Sequence, residues 1–95
     1  MIEEERVYYL DNLGFASGVR LHWSTARQQH WLLFPEGALF LNPTAVAILS
    51  ICDGYRSFTA ISQILSSQFC DVDINQVQNL LLQMLKRGLL INKTP

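Results

Sequence analysis

The stretch Phe34 to Gly54, FPEGALFLNPTAVAILSICDG, switches its hydrophobic period from two to three or four partway along, which is how a strand running into a helix reads in one dimension. Pro35, Glu36 and Gly37 form a turn, because proline presets φ and glycine accepts positive φ. Ala38 to Leu41 is then a short apolar strand. Asn42 is placed to cap a helix that opens with Pro43, where a missing N–H matters little because that donor has no intrahelical acceptor. Ala45, Ile48, Leu49 and Cys52 recur on one helix face, and Asp53-Gly54 is the expected stop, glycine being the residue that best tolerates a left-handed C-terminal position.

Upstream of this junction the pattern is that of strands. Val19, Leu21 and Trp23 alternate with Arg20 and His22, the period-two signature of a half-buried strand with one face in the core. After a polar connection from Ser24 to Gln29, His30 to Phe34 is a second strand, with Trp31 and Leu33 on one side and Leu32 and Phe34 on the other. Together with Ala38 to Leu41 these make a three-stranded antiparallel meander whose third strand lies on an edge. Residues 1–17 mix Glu3, Glu4, Glu5 and Arg6 with an apolar Tyr and Leu cluster, and form an N-terminal arm of uncertain order that packs on the domain or on a second copy.

Downstream, Ser57 is the expected N-cap of a helix carrying Phe58, Ile61, Ile64, Leu65 and Phe69 on one face. Asp73 opens a third helix, with Gln76 three residues on in capping-box spacing, and Lys86, Arg87 and Gly88 are its stop signals. On a wheel of about 100° per residue, Ile74, Val77, Leu81, Met84 and Leu85 share one core stripe, while Gln76, Asn79, Gln83 and Lys86 lie opposite. Leu80 and Leu82 fall on the two shoulders, so the apolar arc is wider than one core contact needs. Leu89, Leu90 and Ile91 read as an apolar tail packed back on the core. The fold class is α+β, a β-meander followed by three helices in winged helix-turn-helix order. An edge strand beside a helix with a surplus apolar shoulder is the physical recipe for holding an extended peptide: the edge offers unpaired N–H and C=O groups, and the helix offers pockets for alternate side chains.

Composition narrows the function further. Ninety-five residues that are 49% hydrophobic make one domain with a modest core, short for an enzyme with a closed active site of its own. A formal net charge of −1 lacks the positive field of nucleic-acid and anionic-membrane binders. Cys52 and Cys70 sit in apolar helical patterns, as buried free thiols in a reducing cytoplasm would, and no apolar run is long enough to span a bilayer. A winged-helix DNA-binding reading meets a third helix whose exposed Gln76, Asn79 and Gln83 have basic residues only beyond them, at the end away from the major groove. His22, His30, Cys52 and Cys70 have no metal-ligand spacing, and no nucleophile–base set or phosphate loop is present, so neither a metal, a cofactor nor catalysis is expected.

Three groups of residues in order, Gly18-Val19-Arg20-Leu21-His22-Trp23, then PEG-A-L-x-LN-x-T over 35–44, then Ile48-Leu49-x-x-Cys52-Asp53-Gly54, resemble the PqqD family of small proteins from pyrroloquinoline quinone biosynthesis. The resemblance continues through Ile61, Leu65, Val77, Leu81, Leu85, Gly88 and Leu89, spanning residues 18–91, about four fifths of the chain. It departs at Gln76, where an acidic residue is expected, and residues 1–17 stand outside it, so the chain divides into that arm and a PqqD-like peptide-recognition domain over 18–95. The resemblance implies a non-catalytic chaperone that binds the ribosomally made precursor peptide PqqA and presents it to the radical-SAM enzyme PqqE, or an equivalent recognition element serving another modified-peptide pathway. It implies peptide contacts at Leu39, Phe40 and Leu41 on the third strand and at Leu80, Gln83 and Met84 on the third helix. Arg20 and His22, on the polar face of the first strand, are candidates for the surface that meets the partner enzyme. An open strand edge also makes a homodimer accessible through strand or hairpin exchange.

Overall fold

Between residues 20 and 41 the chain reverses direction twice and builds the sheet on which everything else rests. The computed structural model describes residues 9–93, with strands β1 (Leu13–Phe15), β2 (Arg20–Ser24), β3 (Gln29–Phe34) and β4 (Gly37–Leu41), helices α1 (Pro43–Leu49), α2 (Phe58–Gln68) and α3 (Ile74–Lys86), and a final strand β5 (Leu90–Asn92). Strands β2, β3 and β4 form an antiparallel sheet in that order, with β4 on an edge. The α+β fold expected from the periodicity is the one observed. No helix among the described residues is long and apolar enough to cross a membrane.

Side-chain alternation divides the sheet cleanly. Leu32 and Leu41 are buried on the helix side, with Leu21, Phe34 and Leu39 packed against the same core, which α1, α2 and α3 complete through Ile48, Leu49, Ile61, Leu65, Val77 and Leu81. Trp23 belongs to this side by parity but is 48% exposed, because it sits at the hairpin end, outside the core cluster. The expectation that it joins Val19 and Leu21 in the core is corrected accordingly.

The helix starts are where the capping residues put them. Asn42 Oδ1 accepts from the Ala45 N–H at 2.8 Å, Ser57 Oγ from the Ala60 N–H at 3.1 Å, and Asp73 Oδ1 from the Asn75 N–H at 2.9 Å. At the end of α3 the Leu89 N–H reaches the Met84 carbonyl and the Gly88 N–H the Leu85 carbonyl, a Schellman closure that requires the positive φ of Gly88 (+75°).

Besides Ile91, whose 42% exposure leaves only Leu89 and Leu90 of the apolar tail in the core, four details differ from the periodicity. First, α1 stops at Leu49, its last turn tightening into bonds from the Ile51 and Cys52 N–H groups to the Ile48 and Leu49 carbonyls. Gly54 does have positive φ (+91°), but its N–H donates to the Leu13 carbonyl at 2.9 Å, so it docks a strand and does not end the helix. Second, Gly37 has no positive φ; Pro35 and Glu36 make the turn, and Gly37 is a paired strand residue. Third, Ile74 is 38% exposed at the first turn of α3, so the core stripe begins at Val77. Fourth, Phe69 and Cys70 are exposed beyond the end of α2, where the extended backbone of Phe69 carries them off the helical face.

The arm expected over residues 1–17 lies outside the described residues as far as residue 8. From Tyr9 onward it is tied down: β1 pairs antiparallel with β5, a two-stranded sheet that periodicity did not reveal. The Asn12 N–H donates to the Arg56 carbonyl at 2.8 Å and Asp11 Oδ1 accepts from the Phe58 N–H at 2.8 Å, so β1 is held between the α1–α2 connection and β5.

Candidate peptide-binding edge

The hairpin between β3 and β4 decides which backbone groups the edge presents. Only Pro35 and Glu36 separate Phe34 from its partner Gly37, and the pair closing a two-residue turn exchanges both of its backbone hydrogen bonds. Alternation then makes Leu32–Leu39 and His30–Leu41 hydrogen-bonded pairs, and Leu33–Ala38 and Trp31–Phe40 non-hydrogen-bonded ones. The N–H and C=O of Gly37, Leu39 and Leu41 are therefore directed inward to β3. Those of Ala38 and Phe40 point to the open side, two residues' worth of backbone donors and acceptors in the correct spacing for one added strand.

Side chains around the edge serve different ends. Leu41 and Met84 are buried, and Leu39 and Leu80 are half-buried against the same core, so four of the six expected contact residues share one cluster. Gln83 is exposed on α3. Phe40 is 54% exposed and takes no part in the core; on the face away from the helices it meets Trp31 edge to face, with ring centroids 5.8 Å apart. Arg20 and His22 lie on that same outer face, exposed, opposite Leu33 and Trp31 across β2 and β3.

Where β4 runs into α1, one cleft is lined by Trp23, His30, Phe40, Leu41, Pro43 and Val46, with the Trp23 and His30 rings tilted at 4.6 Å. A second cleft, lined by Ile48, Leu65, Val72 and Val77 among others, shares Pro43 and Ala47 with the first. Sequence reasoning missed Ala38, Trp31 and the Trp23–His30 pair. The signal for Ala38 was available: counting outward from a two-residue turn gives the parity of every later pair. Nothing in one dimension marks the other three, whose placement depends on which sheet face the helices cover.

Cys52 is buried on the inner side of the segment after α1, its Sγ–H donating to the Ile48 carbonyl. Burial, and secondarily the Asp53 carboxylate, push its thiol up to about 12 from an ordinary 9.0. A thiol so held is a structural hydrophobe and no nucleophile.

This is a small α+β domain with an open strand edge beside a helical layer. The family model described as coenzyme PQQ synthesis protein D matches residues 29–90, and the chain belongs to that family. Proteins named PqqA binding protein are similar to it: that of Klebsiella pneumoniae strain 342 is 44% identical over 57 residues, 60% of this chain and 62% of that one. The counterpart from Methylococcus capsulatus is 46% identical over 43 residues, 45% of this chain and 46% of its own. The match to these relatives thus spans about three fifths of their length or less. Among solved structures, the PqqD truncation of Methylobacterium extorquens PqqCD, described as a functional and stand-alone recognition element for ribosomally synthesized and post-translationally modified peptides, superposes with a TM-score of 0.63 at 30% identity, covering 83% of this chain and 87% of that one.

Proposed function

We propose that this protein is a non-catalytic chaperone of the cytoplasm that binds a PqqA-like precursor peptide and presents it to a PqqE-like radical-SAM enzyme. The observation that carries the reading is the pair of outward-facing backbone sets at Ala38 and Phe40, a preformed place for one extended strand. The names of the relatives and the recognition-element description of the structural neighbour support the same occupant. In this reading Ala38 and Phe40 hold the peptide backbone, while the side chains of Leu39 and Leu41, with Leu80, Gln83 and Met84, meet the peptide from the helix side. Arg20 and His22, exposed on the opposite face, are left for the enzyme, so peptide and enzyme can be engaged together.

The test is a titration of the isotopically labelled chain with synthetic Klebsiella pneumoniae PqqA, followed by amide hydrogen exchange. Protection of the Ala38 and Phe40 amides on saturation is the expected result, since these N–H groups gain partners that Leu39 already has. Unchanged exchange at both amides with peptide bound elsewhere would refute strand addition. For the enzyme side, replacing Arg20 and His22 together by glutamate should weaken capture of PqqE without changing PqqA affinity.

A further inference from the structure

We propose that Trp31 and Phe40 form a second recognition surface for the bound peptide, selecting an aromatic or long apolar side chain at the peptide position opposite Phe40, on the side of the strand away from the helices. This rests on strand addition at β4. Once a strand pairs with that edge, its side chains alternate between the two faces of the sheet, so recognition confined to the helix side would read only every second residue. The residue opposite Phe40 must project on Phe40's own face, its Cβ about 5 Å away.

Register puts His22, Trp31 and Phe40 in one cross-strand row, and an added strand extends that row by one. The two aromatic rings already stand edge to face, and the 54% exposure of Phe40 leaves its far side free to take a third member of the ladder. The adjacent row, Arg20, Leu33 and Ala38, ends in a methyl group and offers a peptide side chain far less contact. One outward position of the peptide is therefore read strongly and its neighbours two residues away weakly. Charge plays little part, because His22 lies about 14 Å from the peptide's place in the row, three strand spacings away across Trp31 and Phe40. An exposed phenylalanine on an open edge is otherwise a hazard for self-pairing, and Phe40 lies outside the buried core.

Calorimetry of the full chain with synthetic Klebsiella pneumoniae PqqA, and with a set of PqqA peptides each carrying threonine at one position, tests this in wild type, Phe40→Thr and Trp31→Thr. Threonine keeps strand propensity while removing the ring. The expectation is one peptide position whose replacement weakens binding to wild type about three- to tenfold but weakens binding to Phe40→Thr no further. Phe40→Leu and Trp31→Phe, which keep apolar bulk, should fall between and remain informative where a threonine variant folds poorly. Losses that add at every peptide position would overturn the second surface while leaving strand addition intact. PqqA that fails to bind wild type, or binds Ala38→Pro undiminished, would overturn strand addition and this inference with it.

Discussion

Leu32 and Leu39 face one another across β3 and β4, the first fully buried and the second half-buried, as a pair that exchanges both backbone hydrogen bonds. A proline at 39 removes a bond the fold itself uses, whereas a proline at 38 removes only a donor facing the open edge. Ala38→Pro should keep the far-ultraviolet circular dichroism of the wild type and weaken PqqA binding by about 1–3 kcal/mol, the cost of a peptide carbonyl left without its donor. Phe40→Pro should do the same, with the ring lost as well. Leu39→Pro should instead lower the denaturation midpoint. Wild-type affinity in folded Ala38→Pro would place the peptide elsewhere.

On the helix side, Leu80 is half-buried and packs on the core while Gln83 is exposed. A carboxylate at Leu80→Asp, facing an apolar peptide side chain, should reduce PqqA affinity by about 1–3 kcal/mol. Gln83→Ala should shift stability by no more than about 0.5 kcal/mol and affinity by a similar amount. Calorimetry finding Leu80→Asp indistinguishable from wild type would remove α3 from the groove.

How much of this could be read in advance depended on whether the decisive interaction was local. Asn42, Ser57, Asp73 and Gly88 each act within five residues of themselves, so the helix boundaries they set were legible. The meander was legible for the same reason, because short turns force its neighbours together. β1 was not: Leu13-Gly14-Phe15 is too short to show a period, and its partner Leu90–Asn92 lies at the other end of the chain. Trp23, Ile74 and Phe69 were misjudged because periodicity gives a residue's face but not how far the opposing layer reaches over it. Of the candidate site, the edge strand was legible and its hydrogen-bond parity was readable from the turn. The outer aromatic pair needed cross-strand register.

The two thiols should behave oppositely. Cys70 is exposed and should take up a maleimide in the native protein, while Cys52, neutral and buried, should react only on unfolding. Because folding raises the Cys52 thiol from 9.0 to about 12, the folded chain holds its proton where the unfolded chain has lost it, so the contribution is complete below pH 9.0 and declines as pH rises toward about 12. Cys52→Ala should flatten that decline in urea titrations across the same window. An unchanged slope would mean that other groups set the alkaline limit.

At Gly54 the left-handed backbone (+91°) coincides with close approach: an added Cβ would lie 3.1 Å from Lys93 Cδ. Gly54→Ala should cost about 1–2 kcal/mol, seen as a thermal midpoint lower by several degrees. PqqA affinity should not change, since β1 and β5 lie in a separate sheet from β4. A variant as stable as wild type would show that this junction tolerates the strain.

An open strand edge of the kind that takes an added peptide can also take a copy of itself. Light scattering should detect a concentration-dependent dimer toward millimolar protein, dispersed by PqqA and absent in Ala38→Pro. A dimer that persists with saturating peptide would use some other surface.

Asn92 reaches across to the other end of the described chain, its Nδ2 donating to the carbonyls of Tyr9 at 2.7 Å and Asp11 at 2.9 Å. Where the polypeptide enters the domain and where it leaves are thus buttoned together, in a different sheet from the β4 edge. Such a module can be spliced to a larger enzyme at either end, or inserted into one of its loops, and still offer the same docking strand. Under the proposed function, covalent tethering would then raise the local concentration of a bound precursor at the enzyme it serves without altering the β4 edge itself.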